Sequence, residues 1–499
     1  MVTKKNLNYY ILLIAGILIL INILAYRFFF RLDFTEDQRY TLSQSTVNIL
    51  DQINQPVTIT AYMSEGLQPQ FDQMRKDFKD MLSEYASKTK GQIVYEFINP
   101  NKEEKLEREA VQAGIQPLLI TIREKDQSVQ KKAYLGAVVQ VGEESEVIPF
   151  IRPGAQMEYA LTMALKKLIT TDKPAIGFIT GHGEPPLAAF AQVKEGLDVL
   201  YVPEEVTLSD SVNLSKYKTL VWVNPQDSIS DADFQLVDKY LEQGGNIYVA
   251  INRVDAKLQQ GYGFSHTTGL ESWLRAKGVT VEDNFIIDAN CGSVQVQQSN
   301  FPIPISISFP YLPIITHFAD HPISEGLGNV VLQFASSMQF TGDSTKIFTP
   351  LAFTSDKSGT QPAPVYFNLE KRWTDMDFPK KRIPVAALVQ DKNTGSKIVV
   401  VSDGDMSVNG TGRNARQIQP DNANFMVNAI DFMSDDTGLI QLRSKQVKMR
   451  PLDQIDESKK SWLKILNFIL PILIIIAVGI IRYQKRRVQR LKRMEEDYV

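Results

Sequence analysis

Two apolar runs, one near each end of the chain, limit most strongly what it can fold into. The first, "YYILLIAGILILINILAY" at 9–26, carries no charge. As a helix it is long enough to cross roughly 30 Å of hydrocarbon. The second, "WLKILNFILPILIIIAVGIIRY" at 462–483, has Trp462 and Tyr483 where interfacial aromatics belong. Its Pro471 is tolerated in a membrane helix. Lys4 and Lys5 precede the first run as they would in a secretory leader. That run exceeds a leader's usual core of about 7–15 residues, and no small-x-small cleavage site follows it. The expectation is therefore two transmembrane helices, at 9–26 and 462–481.

Basic residues set the direction of crossing. Arg482, Lys485, Arg486, Arg487, Arg490, Lys492 and Arg493 follow the second run, while Lys459, Lys460 and Lys464 precede or open it. The cationic excess assigns 482–499 to a cytoplasmic tail. At the first run the signal is nearly balanced, since Arg27 and Arg31 follow it. Two crossings return both termini to one side, so 1–8 is cytoplasmic too and the body between the anchors faces the opposite compartment.

The chain has 499 residues and a formal net charge of −3. With the basic tip set aside, the body is acidic, which argues against nucleic acid as a partner because phosphate binding needs a positive surface. Cys291 is the single cysteine. An intrachain disulfide, a multi-cysteine zinc site and a CxxC redox pair are therefore excluded. No G-x-x-x-x-G-K-[ST] loop occurs, so the chain is not itself a P-loop ATPase.

The body reads as two α/β domains with a boundary near "TTDKP", 170–174. In the first, 34–170, "RYTLSQSTVNILDQI" predicts a short helix with Ser43 as its N-cap. "QPVTITAYMS", "FDQMRKDFKDMLSEYASKT" and "GQIVYEFINPNKEE" follow as strand, helix and strand, a parallel β-α-β unit that is thioredoxin-like without the cysteines. "PLLITIREKD", "KAYLGAVVQVG" and "ESEVIPFI" are further strands and "GAQMEYALTMALKKLIT" a closing helix. In the second, 174–445, near-continuous apolar strands such as "AIGFITG", "YKTLVWVNP", "NIYVAI" and "SKIVVVSDGD" alternate with helices. That pattern predicts a central parallel sheet covered on both faces. The proline-rich "SNFPIPISISFPYLPIITHF" predicts an irregular insertion or edge.

Four places carry candidate chemistry. Gly181, His182, Gly183 and Glu184 close the strand "AIGFIT", where ligands bind in open α/β sheets. A histidine there could move a proton near neutral pH, and Glu184 could orient it or bind a cation. No Ser or Cys elbow follows, however, and the glycines also serve a plain turn. A turn or contact surface is therefore preferred to ligand binding, and ligand binding to catalysis. In "SDGDMSVNG", Asp403 and Asp405 alternate as in a calcium loop, but Val408 stands at the glycine position and no acid at the twelfth. His317 and His321 lack the Glu of H-E-x-x-H and run into Pro322. Cys291 has no identifiable histidine partner.

Several segments, in this order, carry a family resemblance: "RYTLSQST", "FINPNKEE", "GFITGHGE", "LVWVNPQDSISDADFQLVDKYLEQGGNIYVAIN", "FADHPISEGL", "PLAFTSD", "IVVVSDGDMSVN" and "RSKQVKMRPLD", between the two anchors. The chain resembles the GldG-type auxiliary subunit of gliding-motility-associated ABC transporters. The resemblance implies a bacterial inner-membrane protein with a periplasmic body. Its larger domain would be class I glutamine amidotransferase-like (Rossmann-like), without that class's cysteine chemistry. It also implies an ABC ATP-binding subunit, a multi-spanning permease, the lipid bilayer and envelope or motility proteins as partners, with no cofactor and no metal. The leading expectation is a non-enzymatic transporter subunit, with Arg39, Tyr40, Thr41, Ser43, the 181–184 turn, Asp403 and Asp405 as interface or ligand residues. The alternatives are a membrane-tethered receptor or hydrolase using His182 and Glu184, and a purely structural scaffold.

Overall fold

The computed structural model describes residues 13–14, 16–17, 41–124, 127–153, 155–170, 172–296, 305–439 and 457–496. By contact density, residues 1–446 form one compact unit and 447–499 another.

The first half of the larger unit is built on β1 (Val57–Met63), β2 (Ile93–Ile98), β3 (Leu135–Val141) and β4 (Glu144–Ile148), in the order β2-β1-β3-β4. β1 pairs parallel with β2 and antiparallel with β3, and β4 returns antiparallel on β3. Alternation along β1 turns Val57, Ile59, Ala61 and Met63 inward. Three helices supply the rest of the core: α1 (Gln44–Leu50), α2 (Pro69–Lys88) and α3 (Ala155–Ile169). In α2, Met74, Phe78, Leu82 and Tyr85 recur at helical spacing and are buried against the sheet. The start of α1 is set by Ser43, whose Oγ accepts from the Thr46 amide at 3.2 Å. Two elements had no clear signal in sequence. The helix Glu104–Gln112 follows "FINPNK", and the strand Gln127–Ala133 pairs with Leu118–Glu124 as a hairpin.

The second half is an eight-stranded sheet. Its strands are β5 (Ala175–Thr180), β6 (Val202–Thr207), β7 (Tyr217–Val223), β8 (Asn246–Ala250), β9 (His317–Phe318), β10 (Lys346–Phe353), β11 (Pro384–Asp391) and β12 (Lys397–Val401). The order is β9-β10-β11-β12-β8-β7-β5-β6. The five strands from β12 to β6 are parallel, as the apolar runs predict. The sheet as a whole is mixed, however, because β9, β10 and β11 add antiparallel. The cause is local: a short turn with Gly395 at φ +76° joins β11 directly to β12, and a connection that short reverses the chain.

Both faces are covered. On one, Phe178, Val221, Tyr248 and Val399 pack against α4 (Ala191–Leu197) and α7 (Pro420–Ser434). On the other, Leu220, Trp222, Ile247 and Val249 pack against α5 (Asp231–Glu242) and α6 (Leu270–Ala276). Each such buried side chain contributes about 1.5–3 kcal/mol. Between β8 and β11 the chain makes short antiparallel pieces around an aromatic cluster of Phe285, Phe309 and Tyr311. The proline-rich segment is more regular than expected. Ile305–Ile315 is an eleven-residue strand, paired with Cys291–Val296 across a shift in register between Cys291 and Ser293. Pro310 lies in the stretch without partners there, where its missing N–H breaks no ladder bond.

The two halves are tied together. Ile49 of α1 meets Leu439 just beyond α7, with Tyr159 and Met163 against them, and Lys166 Nζ lies 3.2 Å from Asp435.

In the C-terminal unit, α8 runs from Glu457 to Glu496 with Pro471 inside it. No helix is long and apolar enough to cross a membrane among the described residues. The expected span at 9–26 lies outside them apart from residues 13, 14, 16 and 17, as do the side chains of Leu463, Ile465, Phe468 and Ile474 in the second.

Candidate functional site

The 181–184 turn closes on itself. Gly181 and Gly183 have φ of +125° and +80°, a region L-residues rarely adopt. A Cβ on Gly183 would stand 2.9 Å from Gln226 Cβ, so the glycine also permits close approach to the loop after β7. The amides of Gln226 and Asp227 donate to the His182 carbonyl. Glu184 folds back to accept from the His182 amide at 2.6 Å and from Trp222 Nε1 at 2.8 Å, and its side chain is only 1 % exposed.

The His182 ring lies between two carboxylates. Nδ1 is 3.1 Å from Glu184 Oε1 and Nε2 is 3.3 Å from Asp233 Oδ2. Asp233 sits in the first turn of α5, where the N-cap Ser230 donates to it at 2.5 Å. Burial raises the Asp233 carboxyl, but the hydrogen bonds from Ser230 and His182 outweigh it and hold the group below its ordinary value of 3.8. Ser, His and Asp thus meet here in the wrong order for nucleophilic catalysis, since the hydroxyl bonds the carboxylate and not the imidazole. Neither ring nitrogen is free to serve as a base toward a ligand.

The loop after β12 is deeper. Asp403 is fully buried, accepting from the Gln333 amide at 2.6 Å and from the Asp405 amide at 2.8 Å. Burial, and then the charge of Asp405, push its carboxyl up to about 8. Asp405 accepts from Asn224 Nδ2 at 2.8 Å and Asn252 Nδ2 at 2.7 Å. These are the polar residues that follow β7 and β8. Asn224 holds φ +52°, a conformation asparagine tolerates better than most residues.

The structure therefore joins two sites that look separate in sequence. Glu184, Asn224, Gln226, Asn252, Asp255 and Asp405 line one cleft of about 390 Å³, within the usual range for ligand pockets. It opens at the carboxyl ends of the parallel strands, between β5, which leads to β6 on one side, and β7, which leads to β8 on the other, the switch point of an α/β sheet. Asn224, Gln226, Asn252, Asp255 and Asp233 were not singled out in sequence. The available signal was a polar residue directly after an apolar strand, as in "VWVN" and "VAIN".

The remaining candidates lie elsewhere. Ser43 donates to Glu158 Oε1 through both its amide and its hydroxyl at 2.8 Å, pinning α1 to α3, and Thr41 is exposed. Arg39 and Tyr40 lie outside the described residues. His321 Nδ1 accepts the Ile323 amide, and burial lowers its ring's proton affinity. Burial pushes the half-buried Cys291 thiol up, the reverse of an activated nucleophile.

Residues 173–435, more than half of the chain, match a family described as an ABC-type uncharacterized transport system. Residues 36–140 match a domain of unknown function. An uncharacterized protein of Borreliella burgdorferi is 22 % identical over 487 residues, covering 92 % of this chain and 94 % of that one. Among solved structures, the mmIFT52 N-terminal domain matches 52 % of this chain and 97 % of its own at 16 % identity and a TM-score of 0.36. A glutamine amidotransferase from Thermotoga maritima matches 46 % of this chain and 76 % of its own at 8 % identity and a TM-score of 0.25. At those scores the structural likenesses add nothing to the reading of the cleft.

Proposed function

This chain belongs to the ABC-type uncharacterized transport system family, and from that premise we propose that it is the non-catalytic, membrane-anchored auxiliary subunit of an ABC transporter serving gliding motility or envelope transport. The family match over 173–435 carries this reading. The ordered segments shared with GldG-type subunits support its finer part. An ATP-binding subunit and a multi-spanning permease are the partners, since the chain has no phosphate-cradling loop of its own.

Both termini lie in the cytoplasm and the body in the periplasm of a bacterial inner membrane. The run 465–481 is free of charge, and Leu466, Ile469, Leu470, Ile472, Ile475 and Val478 are exposed on α8. Apolar side chains on every face of one helix suit a lipid surround and no aqueous one. The order β2-β1-β3-β4 supports a thioredoxin-like first domain. The parallel strands with their switch point support an amidotransferase-like second domain. A non-catalytic role accords with a His182 whose ring nitrogens both face carboxylates.

Mild-detergent purification of the intact protein from its native membrane, followed by mass spectrometry, tests the assignment. Recovery of a P-loop ATPase and a polytopic permease in constant ratio is expected. A folded protein recovered with neither overturns it.

A further inference from the structure

The cleft at the carboxyl ends of β5, β7, β8 and β12 has an acidic lining. Of its side-chain amides, Asn224 and Asn252 each donate one N–H to Asp405, and Gln226 donates to Asn224 Oδ1 at 2.7 Å. Trp222 Nε1, beneath it, is spent on Glu184. Three carboxylates, those of Glu184, Asp255 and Asp405, belong to the lining. Asp255 Oδ1 accepts the Ala256 amide; no lysine or arginine lines the cleft, and its one histidine, His266, has Nε2 3.4 Å from the Pro225 carbonyl oxygen. A lining with three carboxylates and no lysine or arginine favours a cationic, donating ligand over phosphate or carboxylate.

Carboxylates gathered around one space also repel. Burial, together with the charge of Asp255, holds the Asp405 carboxyl above its ordinary range, against the opposing hydrogen bond from Asn252 and the charge of Arg416. A positive ligand relieves that repulsion. An organic ion is favoured over a metal, because among the described residues no three His, Cys, Asp or Glu groups converge to hold one. Pro185 and Pro186 complete the lining with an apolar surface for methylene groups.

We propose that this cleft binds a small organic cation, an aliphatic ammonium or guanidinium compound, between Asp255 and Asp405. The inference stands whether or not the chain works beside an ATPase and permease. If the pull-down fails while a cation still binds, the transporter reading falls alone.

The test is calorimetric titration of the intact, detergent-solubilised protein with putrescine and with agmatine, against glucose and inorganic phosphate. Saturable binding of the two cations is expected, with none of glucose or phosphate. Asp255→Asn should weaken the cations at least tenfold, equal to about 1.4 kcal/mol. Asp255 is half-exposed, so this variant is the sound one, because Asp405→Asn also disturbs Asn224 and Asn252. Rising salt should weaken binding in parallel. Failure of both cations to bind, glucose or phosphate binding as tightly, or Asp255→Asn leaving affinity unchanged would each overturn the proposal.

Discussion

The turn after β5 and the loop after β12 solve the same problem in opposite ways. Each follows a parallel strand of the same sheet and brings a carboxylate to the same cleft. The first reaches less far: Glu184 is held by the amide of His182, two residues away, and by Trp222, 38 residues on along the neighbouring strand. The second is assembled from afar. Asp403 bonds an amide 70 residues earlier, and Asp405 collects asparagines 181 and 153 residues earlier. A local turn tolerates damage locally, whereas a long-range hub transmits it to every strand it joins.

Asp403→Ala tests that contrast most severely. It strands the partly buried amides of Gln333 and Asp405, each costing about 1–3 kcal/mol, so a loss of about 4 kcal/mol is expected in chemical unfolding. A loss under about 1 kcal/mol would break the comparison.

The pH dependences should be opposite in sign. Asp403, pushed up to about 8 by burial and Asp405, holds a proton in the folded state that the unfolded chain releases near the ordinary 3.8. Its contribution is present at low pH and is lost as pH rises from about 4 to about 8. Asp233 is held below 3.8 by Ser230 and His182 despite its burial, so its contribution is present above 3.8 and lost only as pH falls below that value. Thermal unfolding against pH should therefore show Asp403→Asn flattening the neutral side of the profile and Asp233→Asn the acid side. Identical profiles for the two variants would remove the distinction.

Ser230→Ala should have the smallest effect, a loss of about 1 kcal/mol from the N-cap of α5. A larger loss would mean that the Ser230–Asp233–His182 chain supports the turn after β5 more than its own backbone does.

Much of the frame was legible in sequence because period and capping act locally. Ser43 announces α1, the alternation along Val57–Met63 announces β1, and the all-apolar interior of "LVWV" announces a strand buried on both faces. The mixed character of the sheet was hidden, since it depends on which strands the short turn at Gly395 brings together. The cleft was hidden for a stronger reason. Asn224, Asn252 and Asp405 each look like an ordinary loop residue, and only the strand order β12-β8-β7 puts them side by side. His182 drew attention as a chemical group, yet the structure spends it on two carboxylates, Glu184 in the turn and Asp233 on α5.

The insertion of β12 between β8 and β11 also fixes an order in time. Asn252 meets Gly404 across 152 residues of chain, so the inner edge of β8 stays without its partner until nearly all of the body has been made. At about 5–20 residues per second, that wait is on the order of ten seconds. Throughout it, a bare strand edge is open to pairing with other chains. A protein ended before Lys397 would keep that edge permanently, and its failure would be aggregation rather than a missing cleft.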